Sequence, residues 1–275
     1  ADIRRVDDEV FHGRREYFGH VRGCDSCDRC VQRREKVETE SSGSGVIVGT
    51  VRTDVDAGWS VHFVRRRWGS KDSAQEFEEA MDLLAQQGAS SVIVDLRGNG
   101  GGYLNAVVEM VDLFLDKDQP IVYTEGKSSP RRDYTSRRKG RYAGWPLAVL
   151  VDEGSASASE IFAGAIQDND RGLVVGRRSF GKGLVQEEFP VPGSGALRLT
   201  VARFYTPTGR AIQKPYAAYE EDFDTRLATG ELYHADSMPL VDSLRYVTPM
   251  GREVFGGGGI APDVFVPWDS SGTSV

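Results

Sequence analysis

The chain has 275 residues, a net charge of −7 and a pI near 5.3, with 39% hydrophobic and 27% charged residues. That balance belongs to a folded protein with room for one large core or two smaller ones. Phosphate contacts demand clustered positive charge, whereas this chain is acidic overall and its basic runs, Arg65-Arg66-Arg67 and 131–141, are interleaved with polar residues and read as solvated faces. No nucleic-acid partner is therefore expected, and no apolar run approaches the roughly 18 residues of a membrane span.

Residues 1–40 are charged and poor in apolar positions, and Ser41-Ser42-Gly43-Ser44-Gly45 reads as a flexible linker. The sequence therefore divides into an arm with linker over 1–45 and a core over 46–275. Within the arm, His20, Cys24, Cys27 and Cys30 could supply four metal ligands. The same spacing lets the thiols pack on one side of a helix, and no chemistry is assigned to them. Residues 46–55 and 60–68, rich in β-branched and aromatic side chains, form a hairpin around Ala57-Gly58. Its second strand could offer an edge to an extended peptide. Residues 73–87 form a helix, with Ser73 and Glu76 as a capping box, Phe77, Ala80, Met81 and Leu84 on one face, and Gly88 as the stop.

From residue 91 strands and helices alternate. An apolar strand over 91–96 leads into Gly98-Asn99-Gly100-Gly101-Gly102 and a helix over 104–115. The basic stretch over 131–141 reads as a solvated face. A strand over 147–151, a small-residue loop around Ser157, a helix ending near Asp168 and a strand over 173–175 follow. Beyond Lys182 come strands over 184–189 and 196–205, then a polar, loop-like tail over 216–244 and a last strand over 263–267. The order predicts an α/β fold, with a mainly parallel sheet flanked by helices and additional β-hairpins.

Several motifs compete for the same residues. Gly98 to Gly102 has the setting of a dinucleotide loop, but Tyr103 stands where the last glycine belongs. Gly176 to Lys182 has P-loop spacing, but Gly183 replaces the magnesium-binding hydroxyl and the next segment alternates like a strand. Ser179 and Lys182 match S-x-x-K, a motif that needs a helical turn which the flanking glycines oppose. His12, His20, His62 and His234 lie far from any G-x-S-x-G elbow, so a serine–histidine triad is not expected. Ser157 and Lys182 remain, a serine among small residues and a lysine between two glycines, as nucleophile and base. The triple glycine leaves the sheet at the same carboxyl edge as the serine loop, where α/β proteins place their sites, and offers bare N–H groups to an oxyanion. Gln186, four positions after Lys182, falls on the same strand face.

The runs Gly154-Ser-Ala-Ser-Ala-Ser-Glu160, Gln167-Asp168, Ser179-Phe-Gly-Lys-Gly-Leu-Val-Gln186, Asp95-Leu-Arg-Gly-Asn-Gly-Gly-Gly102 and Thr200-Val-Ala-Arg-Phe-Tyr-Thr-Pro-Thr-Gly-Arg210 closely resemble the carboxyl-terminal processing peptidases, or tail-specific proteases, of the S41 serine peptidase family. The resemblance covers residues 59–269. It implies a ClpP/crotonase-like spiral core and a serine endopeptidase without cofactor or metal that cuts proteins near their carboxyl termini. Ser157 would attack, Lys182 would be the base and Gln186 would orient it. The N–H of Ala158 and that of Gly101 or Gly102 would hold the oxyanion, while Asp168 is read as a helix-end acid. A lysine serving as base near neutrality must be desolvated and kept away from carboxylates. The implied partners are protein or peptide substrates with exposed C-terminal tails, with room for an oligomer, in a periplasmic or cell-envelope setting. The family usually places a PDZ domain before its core; residues 1–55 resemble none, and the end at Val275 reads as an abrupt stop, as though further helices had been removed. The alternative reading is a non-proteolytic scaffold that binds peptide tails.

Overall fold

The computed structural model describes residues 72–191, 193 and 195–268, together with the backbone course of Glu16–Gly19 (β1), Glu35–Ser41 (β2), Ile47–Asp54 (β3) and Trp59–Arg65 (β4). The remaining elements are α1 (Ser73–Gln86), β5 (Val92–Asp95), α2 (Leu104–Asp112), β6 (Pro120–Gly126), β7 (Ser129–Thr135), β8 (Leu147–Val151), α3 (Ala158–Asp168), β9 (Leu173–Gly176), β10 (Leu184–Val191), β11 (Gly195–Tyr205), α4 (Asp222–Ala228), β12 (Arg245–Val247), β13 (Glu253–Phe255) and β14 (Val264–Phe265).

The main sheet runs β1-β2-β3-β4-β5-β8-β9-β14. Within it β4, β5, β8, β9 and β14 run parallel to one another, with Val64 beside Val94, Val94 beside Val149 and Val149 beside Val174. Such strands read as continuous apolar runs because both faces are covered, and Val94, Val149 and Val174 are buried. The mainly parallel sheet flanked by helices is thus as the sequence predicts, and β3–β4 is the expected hairpin. Two expectations change. The arm adds two strands, β2 antiparallel to β3 and β1 antiparallel to β2 at the sheet's edge, so the charged stretch Glu-Lys-Val-Glu-Thr-Glu pairs through its backbone on both sides. And β4 lies between β3 and β5, so it offers no open edge to a peptide.

Helices α1, α2 and α3 pack in series against the sheet. Phe77 of α1, Phe114 just past α2 and Phe162 of α3 meet edge-to-face with ring centroids 5.9–6.2 Å apart, and all three are fully buried. The α1 cap differs from expectation. Asp72 is the N-cap and Ser73 is already helical, because the first turn closes from Glu76 N–H to the Asp72 carbonyl. Gly88 ends the helix with φ +88° as predicted.

A second sheet, β10-β11-β6-β7, stands beside the first. Its β6–β7 hairpin occupies part of the stretch read as a solvated face, and β7 is indeed mostly exposed. The polar tail is not simply a loop. It contains α4, whose Arg226 is 1% exposed, and the buried Glu231 and Leu232. Among the described residues no helix is long and apolar enough to cross a membrane.

Candidate active site

Three connections leave the carboxyl ends of β5, β8 and β9 side by side: the glycine loop, the serine loop and residues 177–183. Hydrogen bonds stitch the first two together. The Asn99 carbonyl accepts from Ala156 N–H and from Ser159 Oγ, both at 2.9 Å. The Asp152 carboxylate accepts from Gly98 N–H at 2.8 Å, Gly154 N–H at 3.0 Å and Ser155 Oγ at 3.1 Å. Burial raises the Asp152 pKa above the ordinary carboxylate value, against the pull of these bonds.

Ser157 is the N-cap of α3, with φ +57° and ψ −115°. A non-glycine residue in such a sparsely populated region carries about 1–3 kcal/mol of strain, which neighbouring contacts must hold. Here β8 enters a sharp turn and α3 leaves it, the strand-to-helix elbow that exposes a nucleophile. The sequence lacks the G-x-S-x-G pattern that usually marks this turn, because small residues other than glycine flank the serine. Gly101, at φ +89°, lies directly against the elbow. A Cβ there would sit 2.5 Å from the Ala156 carbonyl oxygen, 2.6 Å from Ala158 N and 2.8 Å from Ser157 Cβ.

Of the expected oxyanion donors, Gly101 N–H is already given to Asn99 Oδ1 at 3.0 Å. Gly102 N–H and Ala158 N–H have no partner among the described residues. Ala158 N–H is also the first of α3, where the helix dipole favours negative charge.

The lysine loop reaches the serine elbow through Glu160, which in the sequence stands only as the last residue of the Gly154-Ser-Ala-Ser-Ala-Ser-Glu160 run. Its side chain is fully buried. Oε2 accepts from Ser157 N–H and from Lys182 N–H, each at 2.8 Å, so the two backbones meet on one oxygen atom. Oε1 accepts from Ser179 Oγ and Gly181 N–H, each at 2.6 Å. Burial raises the Glu160 pKa, and the four donors oppose that rise. The legible signal was a glutamate three places into a helix, as in a capping box; its second set of partners is distant in sequence.

Lys182 itself is half-buried. Among the described residues no hydrogen bond joins its Nζ to Ser157 Oγ, and Gln186, exposed on β10, makes none to it. The structure thus brings Ser157, Ala158, Gly101, Gly102 and the Lys182 backbone together and leaves Gln186 uncoupled. The decoys resolve as structural. Ser179 Oγ is buried between Glu160 and Ile260 N–H. Lys182 runs into a strand and not a helix. Asp168 is wholly buried against Arg210 at 2.6 Å and Thr208 Oγ1 at 2.7 Å. The cluster of His20, Cys24, Cys27 and Cys30 lies outside the described residues.

The family model for peptidase family S41 matches residues 62–223. The carboxyl-terminal-processing protease of Synechocystis sp. is 39% identical over 161 residues, which cover 58% of this chain and 37% of that protein. The carboxy-terminal processing protease CtpB of Bacillus subtilis is 37% identical over 157 residues, covering 57% and 32%. The matched stretch is therefore well under half the length of those relatives. Among solved structures, the photosystem II D1 C-terminal processing protease shares the fold, with a TM-score of 0.58 and 24% identity over 93% of this chain and 56% of that one. With the family model matching more than half of its length across both the serine and the lysine loops, this chain belongs to peptidase family S41.

Proposed function

We propose that the chain is a serine endopeptidase that cleaves protein substrates near their carboxyl termini, with Ser157 as nucleophile and Lys182 as general base. The observation that carries this reading is the single Glu160 oxygen shared by the backbones of Ser157 and Lys182, which sets a strained serine elbow beside the lysine loop. Relatives named as carboxyl-terminal processing proteases support the reaction class.

In the proposed reaction Lys182 Nζ takes the proton from Ser157 Oγ as that oxygen attacks the scissile carbonyl. The oxyanion forms against the unpartnered N–H groups of Ala158 and Gly102, while Gly101 supplies the close approach that lets the loop lie there. Loss of one such donor lowers the rate by about 10² to 10³. The lysine ammonium then gives its proton to the leaving amine, and water cleaves the acyl-enzyme by the reverse proton path. Gln186 is proposed to steady Lys182 once substrate fills the site. The same reading takes unfolded tails as substrates and an extracytoplasmic setting.

Digestion of a peptide library with mass-spectrometric readout tests the proposal. Cleavage by the wild-type chain that vanishes in Ser157→Ala and Lys182→Ala is the expected result. Tight peptide binding with no cleavage at any pH would instead establish the scaffold reading.

A further inference from the structure

We propose that Arg226, on α4, is a positioning residue for Lys182. It acts by holding the carbonyl side of the lysine loop while Glu160 holds the amide side. Residues 177–183 form neither helix nor strand, and the turn includes Gly181 at φ +89°. The position of Lys182 is therefore set by whatever satisfies this loop's backbone. On the donor side, Ser179 N–H goes to the Ile260 carbonyl, Phe180 N–H to the Ser155 carbonyl, Gly181 and Lys182 N–H to Glu160, and Gly183 N–H to Gln213 Oε1. On the acceptor side, the carbonyls of Arg178 and Ser179 both receive Arg226, through Nη1 at 2.7 Å and Nη2 at 2.9 Å. Among the described residues no other donor reaches those two carbonyls.

Arg226 is in turn fixed by charge. Its Nε lies 2.8 Å from Asp222 Oδ2, and Asp222 also pairs with the buried Lys214 at 2.9 Å. Lys214 adds its own N–H to the Gly181 carbonyl at 3.0 Å, and Glu231 pairs with Arg178 at 2.7 Å. Burial and the nearby Arg178 cation lower the Arg226 pKa, and the carboxylates of Asp222, Glu231 and Glu153 oppose this. An apolar side chain would dock α4 without desolvating a cation. What arginine adds is a planar fork matched to two adjacent carbonyls, which neither an apolar residue nor lysine supplies. Arg226 and Glu231 both lie beyond residue 223, where the family match ends. The inference rests on the proposed role of Lys182 for its kinetic consequence, but the loop-holding contact does not.

The test compares the wild-type 275-residue chain with Arg226→Lys and Arg226→Met, and uses Arg245→Ala, which removes an exposed ion pair with Glu253, as control. Two readouts are taken: amide hydrogen exchange over residues 178–183 against that of α1, and kcat and KM on a peptide found in the library digestion. The proposal expects faster exchange confined to residues 178–183, and a kcat lower by about 10²-fold, the size of effect that small misplacement produces, with KM unchanged in Arg226→Lys and no change in the control. Should Arg226→Met fail to fold, Arg226→Lys decides. Wild-type exchange in Arg226→Lys, or a raised KM with unaltered kcat, would overturn the proposal. If the wild type itself cleaves nothing, the Ser-Lys reading falls and the exchange readout still decides whether Arg226 holds the loop.

Discussion

Two residues constrain the site most tightly, and each makes its own prediction. Gly101 has both a positive φ and no space for a side chain, since its nearest neighbours are backbone atoms of the serine elbow. Gly101→Ala should destabilise the chain by about 1–3 kcal/mol and remove turnover while the far-ultraviolet spectrum persists. Retained activity would mean that the elbow is looser than its contacts suggest. Glu160 predicts a pH effect with opposite signs for stability and activity. Its folded-state pKa is raised from an ordinary 4.5, so the folded chain holds this proton more firmly than the unfolded one. The stability tied to it is present below the unfolded value and lost as pH rises through the folded one. Activity runs the other way, because a protonated carboxyl cannot accept all four hydrogen bonds. Peptidase activity should therefore fall reversibly on acidification, at a pH above the usual carboxylate range, while circular dichroism holds. Joint loss of both signals would argue against this. Glu160→Gln, which puts an amide NH2 where two donors converge, should lower kcat at every pH.

Among the elements, those with a strong apolar rhythm were legible and those built on polar partners were not. The face of Phe77, Ala80, Met81 and Leu84 announced α1, and the valines of β5, β8 and β9 announced the parallel sheet, because burial demands those side chains whatever the loops do. The β6–β7 hairpin escaped notice because Arg131, Arg132 and Asp133 on β7 are exposed and carry no buried alternation. Helix α4 was hidden for a different reason. Its buried anchor is Arg226, and only the folded structure shows the carbonyls that satisfy it. The site was legible to the same degree. Ser157, Lys182 and the glycines stand out as candidates because the small residues around them are local in sequence, whereas the bridge through Glu160 depends on loops from separate strands. Every residue of α3 is buried, so this helix sets the depth of the serine. Phe162→Ala should cost about 3–5 kcal/mol in urea unfolding and leave kcat nearly unchanged where the chain stays folded. A large kcat loss in the folded range would show that core packing also tunes the elbow.

In the whole molecule, the main sheet sets the proposed site by placing β5, β8 and β9 in parallel and adjacent, so that three loops emerge at one edge. The second sheet and α4 then close on the lysine loop from its other side, through β10 and Arg226. Neither layer alone fixes both Ser157 and Lys182, which is why the pair is so far apart in sequence and yet shares one glutamate oxygen. The central claim is that this shared anchoring makes Ser157 a nucleophile dependent on Lys182. The most direct measurement is labelling with a fluorophosphonate probe, with the modified residue mapped by mass spectrometry. The account predicts an adduct on Ser157 in the wild type and none in Ser157→Ala or Lys182→Ala when both variants are folded. Equal labelling of all three proteins, or an adduct on another serine, would contradict it.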